Sequence, residues 1–127
     1  MRHLGIDYGT KRIGVAVSDA TGKMAFPCVV LPNDDQLLAA LQEVIDTYEV
    51  EIIVIGHSLS KDMAPNTVQA GINELVTDLT LEFGLPVHLE LEHYTTQAAI
   101  RIQGRNDQTD ASAAALILDS FLQKQNE

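Results

Sequence analysis

The spacing of apolar residues changes character several times along the chain, and each change marks an element. Residues Leu4 to Ile6 and Arg12 to Ser18 read as two strands; in the second, Ile13, Val15 and Val17 alternate with Gly14, Ala16 and Ser18. The link Asp7-Tyr8-Gly9-Thr10-Lys11 is turn-like, and Gly9 is expected to take positive φ there. A turn at Asp19 to Gly22 leads to a third strand from about Met24 to Leu31. Pro27 within it calls for an edge position or a bulge, because proline cannot donate to a ladder. Links this short join strands antiparallel, so the three form a meander.

After this point the period becomes helical. Pro32-Asn33-Asp34-Asp35 is a break expected to supply a helix N-cap. Leu37, Leu38, Leu41, Val44, Ile45 and Tyr48 then share one helical face. The unbroken apolar run Ile52 to Ile55 suits a central strand covered on both sides, and the polar loop Gly56 to Ser60 follows. A second helix, roughly Asn66 to Phe83, turns Val68, Ile72, Leu75, Val76, Leu79 and Phe83 inward and is stopped by Gly84 and Pro86. Val87, Leu89 and Leu91 alternate with His88, Glu90 and Glu92 as a last strand. Thr95 caps a short helix ending at Gly104, and a final helix runs from near Thr109 or Asp110 to about Lys124.

Two strands reached through helical crossovers lie parallel to the first. The expected architecture is therefore α/β: a five-stranded mixed sheet of order 3-2-1-4-5, strand 2 antiparallel, with helices on both faces. Sites in such sheets form at the carboxyl ends of the parallel strands. Asp7, the loop from Gly56 to Ser60, and Glu92 are all assigned to that edge.

Composition narrows the class. At 127 residues the chain is expected to be one domain, 1–127, and 46% apolar residues is enough for a packed core. No apolar run has the length of a membrane span, and the opening Met-Arg-His-Leu-Gly-Ile lacks the plan of a secretory signal. Cys28 is the one cysteine; with no internal disulfide possible, a cytoplasmic protein with a buried, inert thiol is expected. The net charge of -10 opposes non-specific nucleic-acid binding. Four of the eight Lys and Arg residues, however, are Lys11, Arg12, Arg101 and Arg105, each in a segment next to a candidate acid.

Asp7, Glu92 and Asp110 are the candidate chemistry. Carboxylates converging from separate elements can hold two divalent ions about 3.5–4 Å apart for phosphodiester hydrolysis. All-oxygen donors suit Mg²⁺ or Mn²⁺, and the histidines at 3, 57, 88 and 93 show no zinc spacing. No nucleophile elbow, Walker loop or CxxC is present. Each acid also has a structural reading. Asp7 can organise an Asx-turn, Glu92 can be a solvated residue past a strand, and Asp110 can complement a helix dipole behind an Asp107 N-cap.

The run from Gly5 through Asp7, Gly9, Thr10, Lys11 and Arg12 to Asp19 closely resembles the opening of the YqgF/RuvX family. Asp110 to Leu118 is similar to that family's last helix, and the resemblance covers nearly the whole chain. It implies a ribonuclease H-like fold and metal-dependent nuclease chemistry. It maps the family acids onto Asp7, Glu92 and Asp110 as catalytic and metal-binding residues. By the same token Gly9, Thr10, Lys11, Arg12, Thr95, Thr96, Arg101 and Arg105 are candidates for substrate contact. The family's usual Asp-Glu-Arg is Leu91-Glu92-His93 here, its later acid is Ala98, its Gly-Leu-Pro is Gly56-His57-Ser58, and a basic position before the last Asp is Gln108. The metal ligands are kept, whereas cations that would grip phosphate are lost.

The leading expectation is a nuclease acting on structured RNA, the precursor of 16S ribosomal RNA on the ribosome in particular. The alternatives are a Holliday junction resolvase, which needs a two-fold dimer to cut branched DNA in pairs, and a non-catalytic binding descendant. The chain is expected to be a monomer or weak homodimer with no membrane contact. Asp7-x-Gly9-Thr10 also resembles the phosphate loop of actin-like ATPases, but those need two such domains around a cleft.

Overall fold

Where the links are short the strands run antiparallel, and where a helix intervenes they run parallel. The computed structural model describes residues 1–9, 11–56, 65–90 and 109–125, with backbone course alone at 65–69, 109–112 and 125. Its elements are β1 (His3–Asp7), β2 (Arg12–Ser18), β3 (Ala25–Pro32), α1 (Leu37–Tyr48), β4 (Ile52–Gly56), α2 (Pro65–Phe83), β5 (Val87–Leu89) and α3 (Thr109–Gln125). The sheet order is β3-β2-β1-β4-β5. β2 is antiparallel to both β1 and β3, while β4 is parallel to β1 and to β5. This is the order read from the sequence, and no described helix is long and apolar enough to cross a membrane.

Strand alternation sends side chains to two cores. Leu4, Ile6, Ile13, Val15, Val17, Ile53 and Ile55 pack on one face against Leu37, Leu41 and Ile45 of α1 and Ile72, Leu75 and Leu79 of α2. Ala16 and Val54 pack on the other against Ala114, Ile117, Leu118, Phe121 and Leu122 of α3. The α3 face is floored by small residues, which lets the helix come down onto the strands. A Cβ on Gly5 would stand 2.7 Å from the Leu118 Cβ and 3.0 Å from the Ala114 carbonyl oxygen. A Cβ on Gly56 would stand 3.0 Å from Ile117 Cγ2.

Pro27 is accommodated in both of the ways open to it. β3 is an edge strand, and its register slips so that Val15 pairs with Val29 and Ala16 with Pro27, leaving Cys28 as the bulged residue. Cys28 packs against the core from the bulge but is only half-buried, where a buried, inert thiol had been expected. The expected N-cap between Pro32 and Asp35 is also revised. The N-cap of α1 is Gln36, without a side-chain cap, and the Asp34 carboxylate accepts the Gln36 N–H at 2.9 Å in a turn just ahead of the helix.

Candidate functional site

Asp7 is the last residue of β1, not part of the following turn. It pairs laterally with Gly14 of β2 and Gly56 of β4, and the Tyr8 N–H donates to the Gly56 carbonyl at 2.8 Å. Pairing therefore continues past the acid, which makes its backbone position rigid. Asp7 is 5% exposed. Strand parity gives it the same face as Gly5, the face covered by α3. Its two neighbours in the row across the sheet are glycines, so neither strand places a side chain beside the carboxylate.

α3 runs against β1. Ala114 and Leu118 meet Gly5 in the middle of the strand, and the ring of Phe121, further along the helix, lies 5.9 Å from that of His3 at its start. Moving the other way, position 110 lies one turn ahead of Ala114, about 6 Å along the axis. That displacement is toward the end of the sheet where β1 and β4 finish. The backbone thus brings the first turn of α3, with Asp110, to the end of the sheet that carries Asp7.

Glu92, Thr95, Thr96, Arg101 and Arg105 lie outside the described residues, as do Thr10, His57, Ser58, Leu91 and the expected helix from Thr95 to Gly104. Among the described residues no three His, Cys, Asp or Glu side chains form a metal-sized group. Of the three candidate acids, only the Asp7 side chain is among those described.

The link after Asp7 is held differently from expectation. Gly9 is not left-handed; the described glycines with positive φ are Gly22 and Gly84. Gly9 is needed instead because a Cβ there would overlap the Arg12 carbonyl. Asn33, read from the sequence as part of a helix cap, pins this link from β3's end. Its side-chain amide donates to the Gly9 carbonyl at 2.8 Å, and its backbone N–H donates to the Lys11 carbonyl at 3.0 Å. Lys11 and Arg12 are both exposed beside the Asp7 end of the sheet.

Sequence reasoning also missed Glu90. The alternation Val87, Leu89, Leu91 had assigned Glu90 to an outward position. Glu90 is instead 6% exposed, whereas Leu89 is 52% exposed. The reason is tertiary: Ser120 and Lys124 of α3 reach the Glu90 side chain at the end of β5, whereas His88 and Leu89 just before it are exposed and Val87 packs against the core on the other face. The Glu90 Oε2 accepts from Ser120 Oγ at 2.7 Å and from Lys124 Nζ at 2.8 Å. A buried glutamate was hidden in the sequence because its partners lie thirty or more residues away.

A five-stranded mixed sheet of this order, helices on both faces and an acid ending the first strand define the ribonuclease H-like class. The same fold is found in Thermus thermophilus RuvC, with a TM-score of 0.65 at 18% identity over 99% of this chain and 97% of that one. It is found again in the fowlpox virus Holliday junction resolvase, at TM-score 0.58 and 11% identity over 100% of both chains. At these identities the likeness is one of fold. The chain belongs to the RuvX family: the family model described as RuvX, Holliday junction resolvase, matches residues 1–124. A relative from Oleidesulfovibrio alaskensis is 33% identical over 132 residues, covering 96% of this chain and 92% of its own. One from Koribacter versatilis is 36% identical over 97% of this chain and 87% of its own, and one from a Geobacillus species 36% identical over 96% and 97%. All three bear the name "Putative pre-16S rRNA nuclease".

Proposed function

We propose that this chain, as a single domain, is a divalent-metal-dependent nuclease that hydrolyses phosphodiester bonds in maturing the 5′ end of pre-16S ribosomal RNA, in the cytoplasm where ribosomes assemble. The observation that carries this reading is Asp7. A family-motif carboxylate is buried at the carboxyl end of β1, between two glycines, under the helix that bears Asp110. Full-length likeness to relatives named for that reaction supports the substrate.

The donor chemistry fits the ions this family's reaction calls for. Asp7, Glu92 and Asp110 offer only carboxylate oxygens, which suit Mg²⁺ or Mn²⁺. Divalent ions in such a set lower the pKa of water and stabilise the departing oxygen. Asp7, fixed by ladder bonds on both sides, would hold a divalent ion together with Glu92 and Asp110. Lys11 and Arg12 meet the phosphate backbone at the exposed link, and the Asn33 bonds keep that link in shape. Thr95, Thr96, Arg101 and Arg105 complete the substrate contact from the segment that precedes α3.

The test is cleavage of precursor 16S RNA and of junction DNA, with and without Mn²⁺, by wild type and Asp7→Asn. The expected result is Mn²⁺-dependent RNA cleavage that Asp7→Asn abolishes. Equal activity of the two proteins would sink the assignment. Cleavage confined to junction DNA by a two-fold dimer would transfer it to a resolvase.

A further inference from the structure

We propose that Tyr8 is a positioning residue: its ring, seated against Gly71 of α2, braces the end of β1 from the face opposite Asp7 and so fixes where the Asp7 carboxylate stands. The inference rests on the reading of Asp7 as a metal ligand.

Asp7 and Tyr8 are successive residues where β1 ends, so their side chains leave the chain on opposite faces of the sheet. The peptide unit between them is planar and stiff, and its N–H donates to the Gly56 carbonyl at 2.8 Å. The lateral neighbours of Asp7, Gly14 and Gly56, carry no side chain to buttress the strand end. Tyr8 supplies one from the other face, where it packs with Ile6 against the core formed with α1 and α2. The contact with α2 is at Gly71. A Cβ there would overlap the Tyr8 hydroxyl oxygen, and it would lie 2.5 Å from Cζ and 2.9 Å from Cε1. Tyr8, Gly71 and Leu75 also line an open cavity of about 340 Å³ together with Asn33 and Leu37. The ring is half-buried, so it is not wedged among core side chains on every side. The α2 backbone is the wall it stands against.

A residue that only fills the core would not need this seat. Gly71 lies well inside α2, where Ile72, Leu75 and Leu79 pack the helix onto the sheet, and glycine is among the poorest helix formers. An alanine at 71 opposite a smaller side chain at 8 would suit the helix better and keep the two elements in contact. The pair present here gives up helix propensity to admit a phenol. What the phenol brings is reach and stiffness, since a flat ring with two side-chain torsions carries the strand end across to the helix backbone. Displacing the ring tilts the Asp7–Tyr8 peptide unit. A shift of about 1 Å at a reacting centre is enough to cost on the order of 100-fold in rate.

The experiment measures Mn²⁺ affinity by calorimetry, kcat and KM on precursor 16S RNA, and Tm, for the full chain and for its Gly71→Ala, Tyr8→Leu, Gly71→Ala/Tyr8→Leu and Asp7→Asn variants. Gly71→Ala is expected to stay folded, because alanine favours the helix. It should nevertheless lose about 10–100-fold in Mn²⁺ affinity and in kcat, the range seen when groups that orient metal ligands are removed. KM for RNA should change little. In the double variant the leucine vacates the space that the alanine methyl takes, so its loss should be smaller than the product of the two single losses. Wild-type affinity and kcat in folded Gly71→Ala overturn the proposal, and so does a double-variant loss equal to that product. A fall in Tm with affinity and kcat intact marks Tyr8 as a core filler and overturns it too. If Gly71→Ala fails to fold, Tyr8→Leu decides in its place, and unchanged affinity and kcat there overturn it equally. Asp7→Asn separates the two readings. Loss in Asp7→Asn without loss in Gly71→Ala removes the positioning role only, whereas no loss in Asp7→Asn removes the metal site and the Tyr8 role with it.

Discussion

Gly5 of β1 and Leu118 of α3 share a contact that has room for no side chain: a Cβ on Gly5 would lie 2.7 Å from the Leu118 Cβ. That approach sets the height of α3 over the strand that ends in Asp7, and the first turn of the same helix carries Asp110. Gly5→Ala should force the helix outward and destabilise the fold by about 1–3 kcal/mol, the usual range for overpacking. Chemical denaturation would read the loss. Cleavage should fall further than stability explains, because the first turn of α3 moves with the rest. A Gly5→Ala protein with wild-type stability and activity would show that the helix does not depend on this contact.

On the proposed reading, Lys11 would offer a charge to substrate from outside the set of candidate acids. It is exposed on the link that Asn33 clamps. Lys11→Ala should raise KM for RNA while leaving kcat nearly unchanged. It should also flatten the dependence of log binding constant on log salt by roughly 0.7–0.9, one phosphate contact's worth. Filter binding over a salt series checks this, and an unchanged slope would remove Lys11 from the substrate path.

Acid stability has a local contribution in the turn between β2 and β3. The Lys23 N–H, then the Thr21 hydroxyl, both at 2.8 Å, bond the Asp19 carboxylate, and with the Met24 N–H they hold its pKa at about 2 against an ordinary 3.8. A carboxyl whose pKa is depressed by folding stabilises the native state above its unfolded value, and that contribution is lost as pH falls through the folded one. Asp19→Asn should therefore melt below wild type at pH 7, with the gap closing between about pH 4 and pH 2. A gap that stays constant over that range would show that the carboxylate's charge is not what the turn uses.

The strand order was legible in the sequence because it depends on local quantities. Link length sets whether neighbouring strands are antiparallel, a helical crossover makes them parallel, and the period of apolar residues separates the two cases. Pro27 announced its own edge and bulge for the same reason, since a missing donor is a property of the residue itself. Asp7 was legible through the long motif around it and through its expected place at the carboxyl end of the first strand, where β1 ends. The Gly9 prediction failed because a glycine can be required by its backbone conformation or by a close neighbour, and a one-dimensional pattern cannot separate these.

Candidate acids, strand directions and helical faces were thus determined by the sequence itself, through covalent geometry and periodicity. Only the tertiary structure decided which face of each strand end is covered. α3 arrives from the far end of the chain, comes down on Gly5 and Gly56, buries Glu90 and brings Asp110 to the Asp7 end of the sheet, while Leu89 is left exposed. The burial of Asp7 and the Glu90–Lys124 ion pair arise from contacts between segments distant in sequence, and no spacing within one segment encodes them.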